Sequence, residues 1–226
     1  DAYALAAEYA RKAITAFGGA VMSEKEWTDP ITGFNTKASS WMWTLFHSTD
    51  TVAGNLHNFV AHMAPEAEFG YCPYTQPGLG SQYFDRLGKN DFRRKLVVDP
   101  KGSYESFKPY TQMSEDEYKG LAPYTFFKFR PAQGHRTDYA TAAAIAIPLM
   151  RCEEMYFIEM EATYHLNGPD AGLTKLIQFM NAYRDPGFRY ATQDFLDLII
   201  KHKAIEFWGE GIVMFDMKRL DMGVEC

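Results

Sequence analysis

Acidic side chains and one histidine are concentrated in a stretch past the middle of the chain, where they could in principle form a carboxylate or di-iron active site. The stretch holds Glu153, Glu154, Glu159, Glu161 and His165. On a helix, Glu154 and Glu161 share a face, whereas Glu153 and Glu159 point elsewhere. A glycosidase needs two carboxylates across an open sugar cleft. A di-iron site needs two Glu-x-x-His motifs, but Glu161 and His165 are four residues apart and no second copy exists. The spacing favours neither enzyme.

The other reactive residue types give no catalytic or metal-binding motif. His47, His57 and His62 form neither HExxH nor a zinc-finger pattern. The Gly78-Leu-Gly80 segment lacks the strand, lysine and helix of a phosphate loop, and no GxSxG occurs. Cys152 falls on an apolar helical face, which is typical of an inert core thiol. We therefore expect no catalytic residue, no metal and no cofactor, and a protein that is not an enzyme.

Bulk composition narrows the partners further. The chain has 226 residues, a net charge of −6 and no run of Lys or Arg, which argues against nucleic acid as a partner. No stretch approaches the roughly 18 consecutive apolar residues that would span a bilayer. Aromatic residues make up 15% of the chain. Some of these rings are expected on the surface, where Tyr and Trp suit recognition because each combines an apolar face with a polar tip.

Helical periodicity appears at both ends of the chain. Residues 2–17 carry a stripe of small residues and stop at Gly18-Gly19, as a helix of a tetratricopeptide-like hairpin does. From residue 138 the pattern is helical again. It predicts a long apolar segment at 140–166, then helices at 171–184 and 193–208, the first N-capped by Asp170 and the second by Thr192. Together they predict an antiparallel array of helical hairpins.

The segment 20–137 between these helices is rich in Gly and Pro turn signals and holds most of the Trp and Tyr residues. Residues 41–46 and 95–98 read as short strands, and Ser114-Glu-Asp-Glu117 reads as a capping box. A long, loop-rich insert of this kind is usually functional. We expect one mainly α domain over 1–226, with 1–19 and 138–219 as helical scaffold and 20–137 as the ligand-binding region.

Polar residues recur on the apolar helices of the second half. Buried charges persist only when they are paired and hydrogen-bonded, and the guanidinium fork of Arg suits such pairing. We therefore expect a structural network between helices rather than a reactive site. Its predicted members are Arg151, Glu161, Asn181, Arg184, Glu206, Glu210, Asp216 and Arg219.

These polar residues occur in three blocks whose order resembles the SusD/RagB family of outer-membrane nutrient-binding lipoproteins. The blocks are Pro148, Arg151, Glu154-Met-Tyr-Phe-Ile158 and Glu161-Ala162; then Asn181 and Arg184; then Glu206-Phe207, Glu210-Gly211, Asp216-Met217 and Lys218-Arg219. The chain departs from the family at Lys201-His202-Lys203, where members often have Arg. The resemblance extends over about 1–223. It implies a fragment that lacks the family's N-terminal part and tail.

The resemblance implies a protein that binds oligosaccharide or polysaccharide without catalysis and delivers it to a SusC-like TonB-dependent transporter. The expected place is the outward-facing surface of the outer membrane, with attachment only through a lipid anchor outside this chain. The alternative is a helical scaffold that binds peptides or proteins and has no glycan affinity, since helical hairpin arrays commonly do so. A line of exposed rings favours sugar, whereas an acidic groove favours basic peptides.

The resemblance assigns no binding residue, so the glycan-binding candidates come from the residues alone. Sugar C–H faces stack on aromatic rings, and the loops carry several. The candidates are Tyr71, Tyr74 and Tyr83 in a Pro- and Gly-rich loop, and Trp27 beside Asp29-Pro30. Trp41 and Trp43 alternate with other residues and are expected in a strand core, and Trp208 is expected to be structural.

Overall fold

The computed structural model describes residues 1–51, 59–69, 71–190 and 194–223, and the fold of these residues is mainly α-helical. In chain order the α-helices are α1 (Ala2–Phe17), α2 (Glu24–Thr28), α3 (Cys72–Thr75), α4 (Ser81–Phe84), α5 (Tyr104–Phe107), α6 (Glu115–Lys119), α7 (Tyr139–Ala142), α8 (Cys152–Asn167), α9 (Pro169–Tyr183), α10 (Phe195–Glu206) and α11 (Ile212–Arg219). Strands β1 (Trp41–Leu45) and β2 (Ile147–Arg151) pair antiparallel. Short 3-10 turns lie at Ala61–Met63, Phe92–Leu96, Lys108–Tyr110 and Ala132–Gly134.

Helix α1 has the bounds that its sequence predicts. Asp1 caps its start by accepting from the backbone N–H of Tyr3 at 3.0 Å. Gly18 ends it with φ of 80°, a left-handed conformation that suits glycine. The small-residue stripe lets α1 pack closely on α8, where Ala10 and Ile14 join Cys152 and Met155 in one buried cluster. Cys152 is buried there, as its place on an apolar helical face predicts.

The prediction of one long helical segment from residue 140 is wrong in its first half. Residues 147–151 form β2, with Ile147 opposite Leu45 and Arg151 opposite Trp41, and α8 begins only at Cys152. Pro148 lacks a backbone N–H and disfavours helix in the residue before it. The apolar run 140–151 satisfies helical and strand periodicity equally, and pairing with β1 decides between them.

The starts of α9 and α10 differ slightly from the sequence prediction. Helix α9 begins at Pro169 rather than after Asp170, because proline suits the first helical position, where its missing N–H costs nothing. Helix α10 is N-capped by Asp194, which accepts from the backbone N–H of Asp197 at 3.0 Å. Thr192, the predicted cap, lies outside the described residues.

The segment between α1 and α7 is loop-rich but has its own aromatic core. Trp27, Phe34, Trp41, Phe126 and Phe129 are among its fully buried side chains. Its elements are short, and the Ser114 capping box opens α6 as predicted. The predicted strand at 95–98 is wrong: residues 92–96 form a 3-10 turn, and only Val97 makes an isolated bridge, to Phe126.

A second core lies among α8, α9 and α10. Phe157, Leu176, Phe179, Phe195 and Ile199 are buried in it. The inward positions expected for α10 (Phe195, Leu198, Ile199, His202 and Ile205 or Glu206) are all buried. The aromatic core and this helical core meet at the ends of α9 and α10, which is where the buried polar residues of the chain collect.

Candidate functional site

Four elements meet around one buried carboxylate, that of Glu206 at the end of α10. Arg184, which follows α9, donates to it from Nε at 2.9 Å and from Nη2 at 2.8 Å. Arg93 donates from the 3-10 turn at 2.9 Å, and Arg151 donates from β2 at 3.2 Å. Charge-assisted bonds of this kind are short and directional. They fix the ends of the four elements relative to one another.

Each of these arginines has a further buried carboxylate partner. Arg93 donates to Asp91 Oδ2 at 2.7 Å, and Arg184 Nη2 lies 3.2 Å from Glu153 Oε1 in the first turn of α8. The same Glu153 oxygen accepts the backbone N–H of Met22 at 2.8 Å. Each guanidinium therefore faces at least two carboxylates, as a buried charge requires.

Arg151 and Lys128 share the carboxylate of Glu210. Arg151 donates to both of its oxygens, from Nε at 2.8 Å and from Nη2 at 2.9 Å, which is the bidentate geometry that arginine favours. Lys128 Nζ also pairs with Glu210 and donates to the backbone oxygens of Glu206 at 3.0 Å and Trp208 at 2.8 Å. Lys128 thus satisfies carbonyl groups that the end of α10 leaves open.

We call these eight side chains the Glu206 cluster: Asp91, Arg93, Lys128, Arg151, Glu153, Arg184, Glu206 and Glu210. Four are cations and four are anions, and none of the side chains is more than 3% exposed. The balance of charge explains how so many ionised groups remain in a low-dielectric interior.

Aromatic rings cover the cations of the Glu206 cluster. Lys128 Nζ lies 4.7 Å from the centre of the Phe34 ring, and the Arg151 guanidinium carbon lies 4.7 Å from the Phe207 ring. The Trp27 ring lies 5.6 Å from the Arg184 guanidinium carbon. Rings at these distances attract a cation through their electron-rich faces. The cluster is therefore closed off from water by the two cores.

The charges of the Glu206 cluster set the pKa values of its members. Burial alone would raise the pKa of Glu206, but Arg184, Arg151 and Arg93 outweigh it and hold that pKa well below its usual range. Burial lowers the pKa of Lys128 to about 8, against the opposing pull of Glu210. Burial also opposes the charge of Arg151, but its carboxylate partners keep its pKa raised.

This arrangement suits a structural joint better than a reaction centre. A general acid or base must reach a substrate proton, whereas these groups are enclosed and already bonded to one another. Burial raises the pKa of Cys72 and of Cys152 to about 11, so little thiolate exists at neutral pH. Among the residues that the structure describes, no three His, Cys, Asp or Glu side chains converge as a metal site.

The structure divides the eight predicted network residues among three places. Arg151, Arg184, Glu206 and Glu210 lie in the Glu206 cluster. Glu161, Asp216 and Arg219 form a second cluster between α8 and α11, in which Arg219 donates to Glu161 at 2.5 and 2.7 Å and to Asp216 at 2.7 Å. Lys203 of α10 joins it, 2.6 Å from Asp216.

Asn181 belongs to neither cluster. Its amide nitrogen donates to the backbone oxygens of Ile177 at 3.0 Å and Phe188 at 3.1 Å, and its oxygen accepts from Arg189 at 3.1 Å. It closes the end of α9 and the following turn locally. A side chain with this role needs no charged partner in another helix.

Sequence reasoning missed half of the Glu206 cluster. Asp91, Arg93 and Lys128 come from the loop-rich segment, where no periodic pattern separates buried from exposed charges. The available signal was the run Phe126-Phe-Lys-Phe-Arg130, in which charged residues alternate with aromatic ones. In the structure Lys128 and Arg130 are both buried, and aromatic rings lie beside them. Glu153 points away from Glu154 and Glu161 on a helix, so its spacing does not mark it as a member of the network.

Of the four candidate sugar-stacking rings, Tyr71 and Tyr74 are the ones on the surface, 66% and 84% exposed. They flank Pro73 on the short helix α3. Cys72 anchors α3 by facing Ala61 O at 3.5 Å, and Thr75 donates to His62 O at 3.3 Å. The backbone between the two rings is therefore held while both side chains remain free.

Tyr83 is half-buried and lines an open, mainly apolar hollow of about 460 Å³. Phe59, Trp208 and Met214 line the same hollow. Trp208 packs on Phe126, with the ring centres 5.1 Å apart, which fits the structural role expected of it. Part of the Tyr83 ring remains available to a ligand in this hollow.

The prediction that Trp27 binds glycan is wrong, because its ring is 0% exposed and cannot stack on a sugar. It packs on Phe34 and covers the cations of the Glu206 cluster. The expectation for Trp43 is also wrong: Trp41 is buried, but Trp43 is 64% exposed. Irregularities in strand pairing on both sides of Trp43 shift its side chain away from the face that Trp41 occupies.

No helix within the described residues is long and apolar enough to cross a membrane. The family model named SusD family matches residues 41–224 of the chain. Among curated proteins, none matches the chain at a significant level.

Solved structures share the fold. A SusD-like carbohydrate-binding protein from Bacteroides vulgatus ATCC 8482 superposes with a TM-score of 0.69 at 23% identity, over 96% of this chain and 41% of that one. A SusD superfamily protein from Bacteroides thetaiotaomicron VPI-5482 superposes with a TM-score of 0.61 at 18% identity, over 96% of this chain and 46% of that one. The chain therefore spans less than half the length of these structural relatives.

Proposed function

The chain belongs to the SusD family, and on that premise we propose that it binds oligosaccharide or polysaccharide without changing it chemically. The observation that carries the proposal is the pair of exposed rings, Tyr71 and Tyr74, on an anchored turn. An exposed tyrosine offers a ligand an apolar ring face beside a polar hydroxyl group, and its side chain has few torsions to freeze on binding.

We further propose where the protein lies in the cell and which partner receives the bound glycan. We assign the protein to the outward-facing surface of the outer membrane, where a lipid anchor would hold it. A SusC-like TonB-dependent transporter would receive the glycan. Shallow stacking sites bind weakly, with dissociation constants of roughly 0.1–1 mM, or about 4 to 5.5 kcal/mol. Weak binding suits a protein that has to release its ligand to a transporter.

The test is affinity electrophoresis of the protein through gels that contain plant, host or microbial polysaccharides. We expect at least one polysaccharide to retard the protein, and we expect Tyr71→Ala with Tyr74→Ala to abolish the retardation. The matched control is Tyr9→Ala on α1, since Tyr9 is exposed to a similar extent, 63%, but lies away from the turn.

Uniform migration in every gel would contradict glycan binding and favour the peptide-binding scaffold instead. Retardation that survives loss of both tyrosines would retain glycan binding but reject the Tyr71–Tyr74 turn as its site. Tyr83→Ala would then test the hollow that contains Trp208.

A further inference from the structure

Two adjacent hollows meet at the end of α9, on a face that the site proposed above does not use. The larger has a volume of about 820 Å³ and the smaller about 220 Å³, and Ala182 and Tyr183 line both. We propose that the two hollows form one binding groove for an acidic oligosaccharide, whose sugars carry carboxylate or sulfate groups. That the ligand is a glycan rests on the proposed function, whereas its negative charge rests on the groove.

Positive charge predominates along the groove, although the whole chain carries −6. The side chains that supply charge at its walls, apart from Arg184 of the neutralised Glu206 cluster, are four cations and two carboxylates: Arg11, Lys89, Lys95, Lys175, Glu24 and Glu159. A surplus of two positive charges on an acidic protein is a local feature. This positive charge does not attract a neutral sugar, but it attracts an acidic oligosaccharide.

The carboxylates in the groove are already occupied. Glu159 faces Lys175 at 2.8 Å and also pairs with Arg11. Glu24 faces Lys95 at 2.6 Å. These pairs hold the long cationic side chains in place. A ligand carboxylate entering the groove meets arranged donors rather than free acids that would repel it.

Two polar side chains of the larger hollow, those of Lys89 and Asn90, have no partner within the described part of the chain. Lys89 and Asn90 are exposed, and neither makes a side-chain hydrogen bond or ion pair with any other residue that the structure describes. An ammonium group and an amide on the wall of one hollow suit a uronic acid, which offers a carboxylate next to hydroxyl groups. Lys89 and Asn90 can therefore bind the acidic sugar directly, whereas the other cations of the groove are already paired with Glu159 and Glu24.

An aromatic ring lies on the wall that the two hollows share. Tyr183 is 37% exposed, and its ring is supported by Phe179 and Tyr156, with ring centres at 5.3 and 6.0 Å. The next residue, Arg184, is fixed in the Glu206 cluster, so Tyr183 stands on a rigid support. A sugar stacked on Tyr183 would have Lys89 on one side and Lys175 on the other.

The experiment measures binding to two matched pairs of probes by isothermal titration calorimetry at low salt. One pair is oligogalacturonate and its methyl ester, and the other is dextran sulfate and dextran oligosaccharide of equal length. We expect at least one acidic member to bind about tenfold or more tightly than its neutral partner, and the preference to shrink as salt is added.

Variants locate the site of this preference. Lys89→Gln is expected to weaken acidic-probe binding about fivefold, the effect of one charge-assisted bond at an exposed position. Lys89→Arg keeps the charge and should stay within about twofold, as should Lys101→Gln, an exposed lysine outside the groove. Tyr183→Ala should weaken binding of the same probe by about tenfold through loss of stacking.

Equal binding of the acidic and neutral members of both pairs, or binding of neither acidic probe, would overturn the proposal. So would an acidic preference that Lys89→Gln leaves unchanged. Hexaglutamate binding as tightly as oligogalacturonate would show recognition of charge alone and would reject the glycan assignment. The proposed function fails separately: neutral polysaccharides can still be retarded through Tyr71 and Tyr74 when the groove binds nothing.

Discussion

The Glu206 cluster and the Tyr71–Tyr74 turn differ most in solvent exposure: the cluster is buried, and the two tyrosines are mostly in water. In the cluster, charged groups are enclosed and bonded to one another. On the turn, two aromatic rings stand in water and the polar backbone beneath them is anchored. The cluster satisfies its charges internally through pairing. The turn leaves two ring faces uncovered by the rest of the chain, and these are the faces proposed to contact a ligand.

The Glu206 cluster is expected to contribute mainly to stability, and the Tyr71–Tyr74 turn mainly to binding. A residue of the cluster cannot be changed without leaving a buried partner unpaired, and that penalty exceeds the net value of the pair itself. A residue of the turn contributes little to folding, because removing an exposed ring uncovers nothing. Changes in the cluster should therefore lower the free energy of unfolding, whereas changes on the turn should weaken binding to polysaccharide.

The largest expected effect is that of Glu206→Gln. The amide removes the negative charge that three arginines share, and its NH2 group faces a guanidinium donor that it cannot accept from. We expect a loss of about 3–5 kcal/mol in the free energy of unfolding. Urea denaturation followed by circular dichroism measures it.

The control is Glu115→Gln at the start of α6, because Glu115 is an exposed acid whose ion pair with Lys119 lies on the surface. It should change stability by less than about 0.5 kcal/mol. A Glu206→Gln variant as stable as this control would mean that the cluster is not a structural joint, and would reopen the question of a chemical role.

A smaller effect is expected from His202 on α10, beside the cluster. Burial, reinforced by the charges of Arg93 and Arg86, lowers its pKa from 6.5 to about 3, although Asp91 and Glu206 oppose them. Between pH 6.5 and about pH 3, His202 binds a proton in the unfolded chain but not in the folded chain. Stability supplied by neutral His202 is therefore complete above pH 6.5 and declines as pH falls toward 3.

The measurement is urea denaturation at intervals from pH 7 to pH 5. Over this interval the histidine accounts for a loss on the order of 2 kcal/mol. His202→Gln should flatten the profile by that amount, whereas His135→Gln, which removes an exposed histidine, should not. Parallel profiles for His202→Gln and the parent protein would show that His202 titrates alike in both states.

The smallest effect on stability is expected from the turn. Tyr71→Ala and Tyr74→Ala should each change the free energy of unfolding by less than about 0.5 kcal/mol, because both side chains are mostly in solvent. The same variants are expected to lose retardation by polysaccharide. A drop of several degrees in melting temperature with binding intact would place both rings in the fold rather than in the site.

The regular parts of the fold could be predicted because their signals are local. The bounds of α1, the capping box of α6 and the inward face of α10 follow from periodicity and from residues that satisfy free backbone groups. The short apolar runs could not be assigned this way. Residues 147–151 became a strand because β1 lies beside them, a fact that the run itself does not contain.

The candidate sites show the same division. The polar residues on the helices were predicted to pair because an apolar helical face leaves them no water, and Arg184 and Glu206 do meet there. Exposure of rings in the loops was not predictable. Trp27 and Tyr74 both lie near prolines in a Gly- and Pro-rich segment, yet one is 0% and the other 84% exposed.

By itself the sequence determined a mainly helical chain, the presence of charges that had to be paired, and a surplus of aromatic residues in irregular segments. These follow from composition and local spacing, which act over a few residues. Only the tertiary structure decided the partners of Arg93 and Lys128, the burial of Trp27 and the meeting of Tyr183 with Lys89 in one groove. Each of those joins residues far apart in sequence, and the packing of the two cores brings them together.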